Sequence, residues 1–128
     1  MLKIKLTSIP VDDQQKALEF YTDKLGFVKK HDVDMGGPRW LTVTAPDNPD
    51  VELLLEPMGF APAKDYQKAL FDAGIPWTAF AVDDAQKEYE RLKKLGVEFK
   101  SEPKQMGPTV VAQFEDTCGN YIQIYQMV

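Results

Sequence analysis

A single histidine, His31, and a single cysteine, Cys118, stand among 128 residues. One cysteine excludes an internal disulfide framework and any multi-Cys zinc site. One histidine removes most of the imidazole groups that metal binding and proton transfer draw on. Basic residues are also in the minority, 15 against 20 acidic, for a net charge of −5 and a pI near 4.8. Clustered Lys and Arg supply affinity for phosphate backbones and anionic lipid, so neither a nucleic-acid nor a membrane partner is expected. No long apolar run occurs, and Met1-Leu2-Lys3 passes straight into an alternating pattern without an apolar h-region. The expectation is a cytoplasmic protein with no membrane span.

What is present is the composition of a folded domain, 44% hydrophobic and 27% charged. The length suits one domain, able to bury roughly two-thirds of the surface its unfolded chain exposes.

The chain repeats itself. Val11-Asp12-Asp13-Gln14-Gln15-Lys16 returns as Val82-Asp83-Asp84-Ala85-Gln86-Lys87 at an offset of 71, and Glu19 and Glu90 keep that offset. Lys24-Leu25-Gly26 returns as Lys94-Leu95-Gly96 at an offset of 70, as does Pro38 in Pro108, so the second copy lacks one residue within its helix region. Two copies are too few for a solenoid and indicate a paired, pseudo-symmetric domain.

Each copy opens with a strand, over residues 3–11 and 78–82, that ends in an Asp-Asp pair. Asp12 and Asp83 are candidate N-caps, with Gln15 and Gln86 completing capping boxes. Ala17, Phe20, Tyr21 and Leu25 recur at helical spacing, as do Ala85, Tyr89, Leu92 and Leu95, and Gly26 and Gly96 stop the two helices. Strands are expected over 27–34, 40–45 and 51–56 in the first copy, and over 97–101, 110–115 and 121–126 in the second. The unit is β-α-β-β-β, twice: module one over 1–57, a connector over 58–75 with a short helix at 63–73, and module two over 76–128.

Two such modules, with Phe20-Tyr21-Thr22-Asp23-Lys24-Leu25-Gly26-Phe27 in one and the turn Asp116-Thr117-Cys118-Gly119-Asn120 in the other, resemble the vicinal oxygen chelate superfamily. That group includes glyoxalase I, bleomycin-resistance proteins, fosfomycin-resistance enzymes, methylmalonyl-CoA epimerase and extradiol dioxygenases. The resemblance covers nearly the whole chain. It implies an α+β fold in which two βαβββ modules form an eight-stranded, cavity-enclosing incomplete barrel, commonly in a homodimer.

The resemblance also implies where metal ligands would stand. The first-strand ligand, usually His, lies five residues before the Val of Val-Asp, which is Leu6 in module one and Trp77 in module two. The last-strand ligand, often Glu, lies four residues after the turn glycine, which is Gln123, and the offset of 70 places its partner at Leu53. A slip of one residue would bring Glu52 to that position instead and turn Leu53 and Leu55 away. Leu and Trp offer no donor to a divalent ion, and a lone amide oxygen does not hold one against water. No metal and no cofactor are therefore expected.

A cavity lined by Leu6, Leu53, Trp77, Trp40 and Tyr125, with Ser8 and Gln123 as polar groups, has the composition of a small-molecule site. The bleomycin-resistance branch of the family, which sequesters drugs without transforming them, is the precedent. The expected function is metal-free binding of a small, at least partly aromatic molecule by stacking. The alternative is an enzyme: a glyoxalase-like lyase or isomerase, or a metal-free catalyst using Glu52 or Glu56. For Trp77 the competing structural role is filling the space itself, for Trp40 core packing, and for Gln123 bonding to a neighbouring strand. His31, amid Lys29, Lys30 and Asp32, reads as an exposed strand-end residue, and Cys118 as a turn residue without a basic partner.

Overall fold

The repeated Val-Asp-Asp motif sets how each half begins. In the computed structural model, which describes all of residues 1–128, a strand β1 (Leu6–Val11) leads into helix α1 (Gln14–Glu19). Strand β5 (Thr78–Ala81) leads into α3 (Ala85–Lys94) in the same way. The cap is the second aspartate of each pair, not the first. Asp13 accepts from the Lys16 N–H and Asp84 from the Lys87 N–H, both at 3.1 Å, from extended backbone at the second aspartate. Gln14 ties the helix start to the sheet: its amide bonds the Arg39 N–H and the Arg39 and Leu55 carbonyls.

After α1 the chain tightens into a π-helical turn, Phe20–Lys24, closed by a Leu25 N–H to Phe20 carbonyl bond of 3.2 Å. A π-turn absorbs one extra residue without breaking the helix. That is the residue by which the two copies differ. Gly26 and Gly96 then reverse the chain at φ of +86° and +89°, a region that favours glycine.

The chain divides into two compact units, Met1–Asp65 and Tyr66–Val128, with the division inside the connector helix α2 (Ala61–Asp72). The first unit holds a sheet of order β1-β4-β3-β2, completed by β2 (Val28–Asp34), β3 (Arg39–Ala45) and β4 (Asn48–Pro57). The second holds β5-β8-β7-β6, completed by β6 (Lys104–Met106), β7 (Thr109–Glu115) and β8 (Tyr121–Met127). In each, the outer pair β1·β4 or β5·β8 is parallel and the rest antiparallel. The architecture is α+β with two βαβββ modules.

The strand expected over 97–101 is not one. Only Phe99 makes a bridge there, to Phe114, and the strand that pairs with β7 on the side away from β8 is the short β6. Val97 and Phe99 instead turn into the α3 side, where Phe99 meets the Tyr89 ring edge-on at 4.8 Å.

One face of each sheet is dry. Ile9, Val11, Leu41, Val43, Leu53 and Leu55 are buried with Ala17, Phe20 and Tyr21 of the first helix. Ala112, Phe114, Ile122 and Ile124 are buried with Ala85, Tyr89 and Leu92 of α3. Burial of each large side chain is worth about 1.5–3 kcal/mol, and the two-residue alternation that produces it leaves a second face of each sheet for other work.

The Asp116–Asn120 turn is fixed by a buried polar knot. Asp116 accepts from the Cys118 and Asn120 N–H groups and from Asn120 Nδ2 at 2.8–3.0 Å. Gln67 of α2 donates to Asn120 Oδ1 and the Cys118 carbonyl. Replacing Asn120 by Ala removes the Nδ2 donor to one oxygen of the buried Asp116 carboxylate and the Oδ1 acceptor of buried Gln67, and we expect a loss of about 2–3 kcal/mol in urea unfolding. A loss under about 1 kcal/mol would show that the knot does not hold the turn.

Candidate functional site

The β1·β4 ladder decides which side chains share the sheet face away from α1. Leu6 pairs with Glu52, Ser8 with Leu54 and Ile9 with Leu55. Glu52 therefore shares the face of Leu6, while Leu53 lies on the helix side at 6% exposure. Of the two, Glu52 is therefore the one on the face away from α1, and Leu53 serves the core. In the second unit Ala79 pairs with Gln123, and Ser8 and Ala79 are repeat counterparts. The structural partner of Gln123 is accordingly Leu54. The offset between β4 and β8 is 69, not 70.

Leu6 (44% exposed), Ser8 and Trp40 (39% exposed) gather on the away face of the first unit. Trp40 pairs with Val33 and stands two residues from Thr42, whose hydroxyl marks that face. In the second unit Gln123 and Tyr125 share the face turned from α3, both half-buried. Trp77, whose N–H bonds the Tyr121 carbonyl, sets its indole edge-on to Tyr66 of α2 at 5.5 Å. Part of its surface is therefore spent on packing. Tyr121 is similarly covered, stacked on Phe71 at 4.4 Å with Lys100 over its ring.

Two features of these faces are not legible in the sequence. The first is Gln113, opposite Gln123 on β7. Its Nε2 reaches Gln123 Oε1 at 3.5 Å, and its own Oε1 is buried without a hydrogen-bond partner. A buried acceptor left unmade costs about 1–3 kcal/mol unless something donates to it.

The second is a cluster on the first unit. His31 Nδ1 lies 2.9 Å from Glu52 Oε1, and the Thr42 hydroxyl donates to the same oxygen at 2.7 Å. Lys30 Nζ stands 3.8 Å from Glu52 Oε2. The Thr42 bond, then the His31 bond and the nearby positive charge, hold the Glu52 carboxyl below its ordinary range against a smaller opposing effect of burial. His31 is not a bare strand-end residue. A register shift between Lys29 and His31 turns it onto the face of Thr42. Nothing in one sequence marks such a bulge. Glu56, the other candidate base, is exposed near the end of β4 and makes no such contact with His31.

The residues at the family's ligand positions do not fit a divalent ion. By ladder they are Leu6, Leu54, Trp77 and Gln123, which together offer one amide oxygen. Nowhere in the chain do three His, Cys, Asp or Glu side chains converge to hold a metal. His31 and Glu52 turn their donor atoms on each other.

These faces belong to a recognisable class of paired-module proteins. The chain is a member of the Glyoxalase/Bleomycin resistance protein/Dioxygenase superfamily, whose pattern it matches over residues 3–124. It is 58% identical over 126 residues to YurT of Bacillus subtilis (strain 168), a protein described as uncharacterized, covering 98% of this chain and 99% of that one. Among solved structures it resembles UcmS2, at 32% identity and TM-score 0.84, covering 98% of both chains. It also resembles TnmS3, described as an antibiotic binding protein from Streptomyces sp. CB03234, at 29% identity and TM-score 0.77, covering 100% of this chain and 98% of that one. No helix is long and apolar enough to cross a membrane.

The acid side of the stability profile follows from the carboxylates. Glu52 is lowered as described, Asp32 mainly by its hydrogen bond from Arg39, and Asp34 by the Gly36 and Gly37 N–H groups. Each binds its proton more weakly folded than unfolded. Their stabilisation is complete above the unfolded carboxylate range, near pH 4, and is lost as pH falls through the lower folded values. The urea midpoint should drop as pH falls from roughly 5 to 3, and Glu52→Gln should flatten that drop. An unchanged slope in the variant would mean that the His31–Glu52–Thr42 cluster is not formed in solution.

Proposed function

We propose that this protein binds a small, partly aromatic organic molecule without a metal, against the sheet faces turned away from α1 and α3, and that it does so as a cytoplasmic homodimer. The observation that carries the reading is the orphaned Gln113 Oε1. A buried carbonyl with no partner, beside Gln123 and among half-buried aromatic groups, is a place for an N–H or O–H donor from a ligand. Leu6, Ser8 and Trp40 supply a comparable mixture on the other sheet. Aromatic groups next to a few fixed polar atoms favour flat molecules, by stacking and by one or two oriented hydrogen bonds.

Support also comes from likeness. TnmS3 is an antibiotic binding protein, and this chain shares its fold along the whole length. The same function here accounts for a scaffold that keeps its two modules while placing Leu and Trp at the family's ligand positions.

Titration with a panel of planar aromatic antibiotics, followed by the fluorescence of Trp40 and Trp77, is expected to give saturable quenching. Gln113→Leu should weaken a ligand that carries an N–H or O–H donor by about tenfold, the loss of one satisfied buried hydrogen bond. Absence of quenching across the panel at the solubility limit would contradict the reading.

A further inference from the structure

We propose that His31 is a proton-accepting anchor for ligand: its Nε2 takes the hydrogen bond, and the proton, of a weakly acidic hydroxyl on the bound molecule, with Glu52 and Thr42 as positioning residues. This rests on the small-molecule-binding reading above and adds to it the chemical class of the group recognised.

The protonation pattern follows from the contacts. Glu52 Oε1 receives the Thr42 hydroxyl at 2.7 Å and faces His31 Nδ1 at 2.9 Å. An ionised carboxylate only accepts, so the Nδ1 atom carries the proton. A neutral imidazole holds one proton, which leaves the Nε2 lone pair as the acceptor. The residue is held from a second side as well, since the His31 backbone N–H donates to the fully buried Thr42 hydroxyl at 3.2 Å. Thr42 thus accepts from His31 and donates to Glu52, so its hydroxyl orientation is fixed.

The surroundings leave the ring partly open to solvent. The His31 side chain is 48% exposed and Glu52 19%, so Nε2 is reachable while the carboxylate is partly shielded. Lys30 Nζ, 3.8 Å from Glu52 Oε2, also donates to the Pro49 carbonyl. Glu52 is held ionised first by the Thr42 bond and then by the His31 bond, with Lys30 adding a smaller part. When the ligand O–H bond breaks and an Nε2–H bond forms, the products are an imidazolium and an oxyanion. The Nδ1–H bond to Glu52 is kept in the imidazolium. No oxidant, reductant or third reactant is needed. The chemistry selects phenols and enols over ethers of the same shape.

Because His31 is the only histidine, the imidazole nitrogen spectrum of the 15N-labelled full chain contains one ring. The expected result is the Nδ1–H form in the wild type and a mixture of forms in Glu52→Gln. 4-Nitrophenol should shift Nε2 and show its phenolate band on binding, whereas 4-nitroanisole should do neither. His31→Gln should weaken 4-nitrophenol at least fivefold and leave 4-nitroanisole unchanged. Were that variant not to fold, the wild-type nitrogen measurements would still decide. An Nε2–H form in the wild type, or equal effects of the two compounds on Nε2, overturns the proposal. If neither compound reaches Nε2 while the antibiotic panel still quenches tryptophan, the anchor falls and small-molecule binding stands. If the panel also fails, both fall.

Discussion

The parallel ladder between β1 and β4 governs what each face of the first unit can do. It sets Leu6 opposite Glu52 and Ile9 opposite Leu55, so every side chain of β4 is assigned to one face by alternation alone. Shifting that pairing by one residue would drive the Glu52 carboxylate in among Ile9, Leu41 and Val43 and bring Leu53 out. Burying an unpaired carboxylate costs several kcal/mol, far more than one strand's hydrophobic mismatch. The register is therefore strongly specified, and with it the meeting of Glu52, Thr42 and His31.

The same alternation separates the packing of each unit from its second sheet face. The dry faces need only volume and apolarity, and both copies supply them with different residues: Leu41 and Val43 in one, Ala112 and Phe114 in the other. The faces turned away from the helices are not needed for that packing. Leu6 and Leu54 in the first unit and Trp77 and Gln123 in the second stand at the positions that the family resemblance assigns to ligands, and only Gln123 has a side-chain oxygen to offer. The polar groups of these faces are the Gln113–Gln123 amides on one sheet and the His31–Glu52–Thr42 cluster on the other.

Much of the fold is legible in the sequence because it rests on repetition and punctuation. The duplicated Val-Asp-Asp and Lys-Leu-Gly motifs locate both helices, and the glycines that end them take the left-handed backbone their positions require. The missing residue in the second copy is visible as an offset, but its structural form, a π-turn after Glu19, is not. The cap falls one residue later than the capping-box spacing suggests, since both aspartates are competent and only backbone dihedrals choose between them. The segment after Gly96 carries strand-forming residues without being a strand, because Val97 and Phe99 are used here for packing, Phe99 against Tyr89 and Phe114. Leu6 is identifiable from motif spacing, whereas the face of Trp40 is not. The roles of His31 and Gln113 are not, because a β-bulge and a cross-strand pairing leave no local signature.

At the centre of this account is the proposal that the family's cation-gripping positions are held here by side chains that cannot grip a cation. Calorimetric titration of the purified full chain with Zn²⁺, Ni²⁺ and Mn²⁺, together with elemental analysis of the protein as isolated, measures this directly. The account predicts no saturable heat from any of the three and no stoichiometric metal. One tightly bound ion per chain, lost when Gln123 is replaced by Ala, would contradict it.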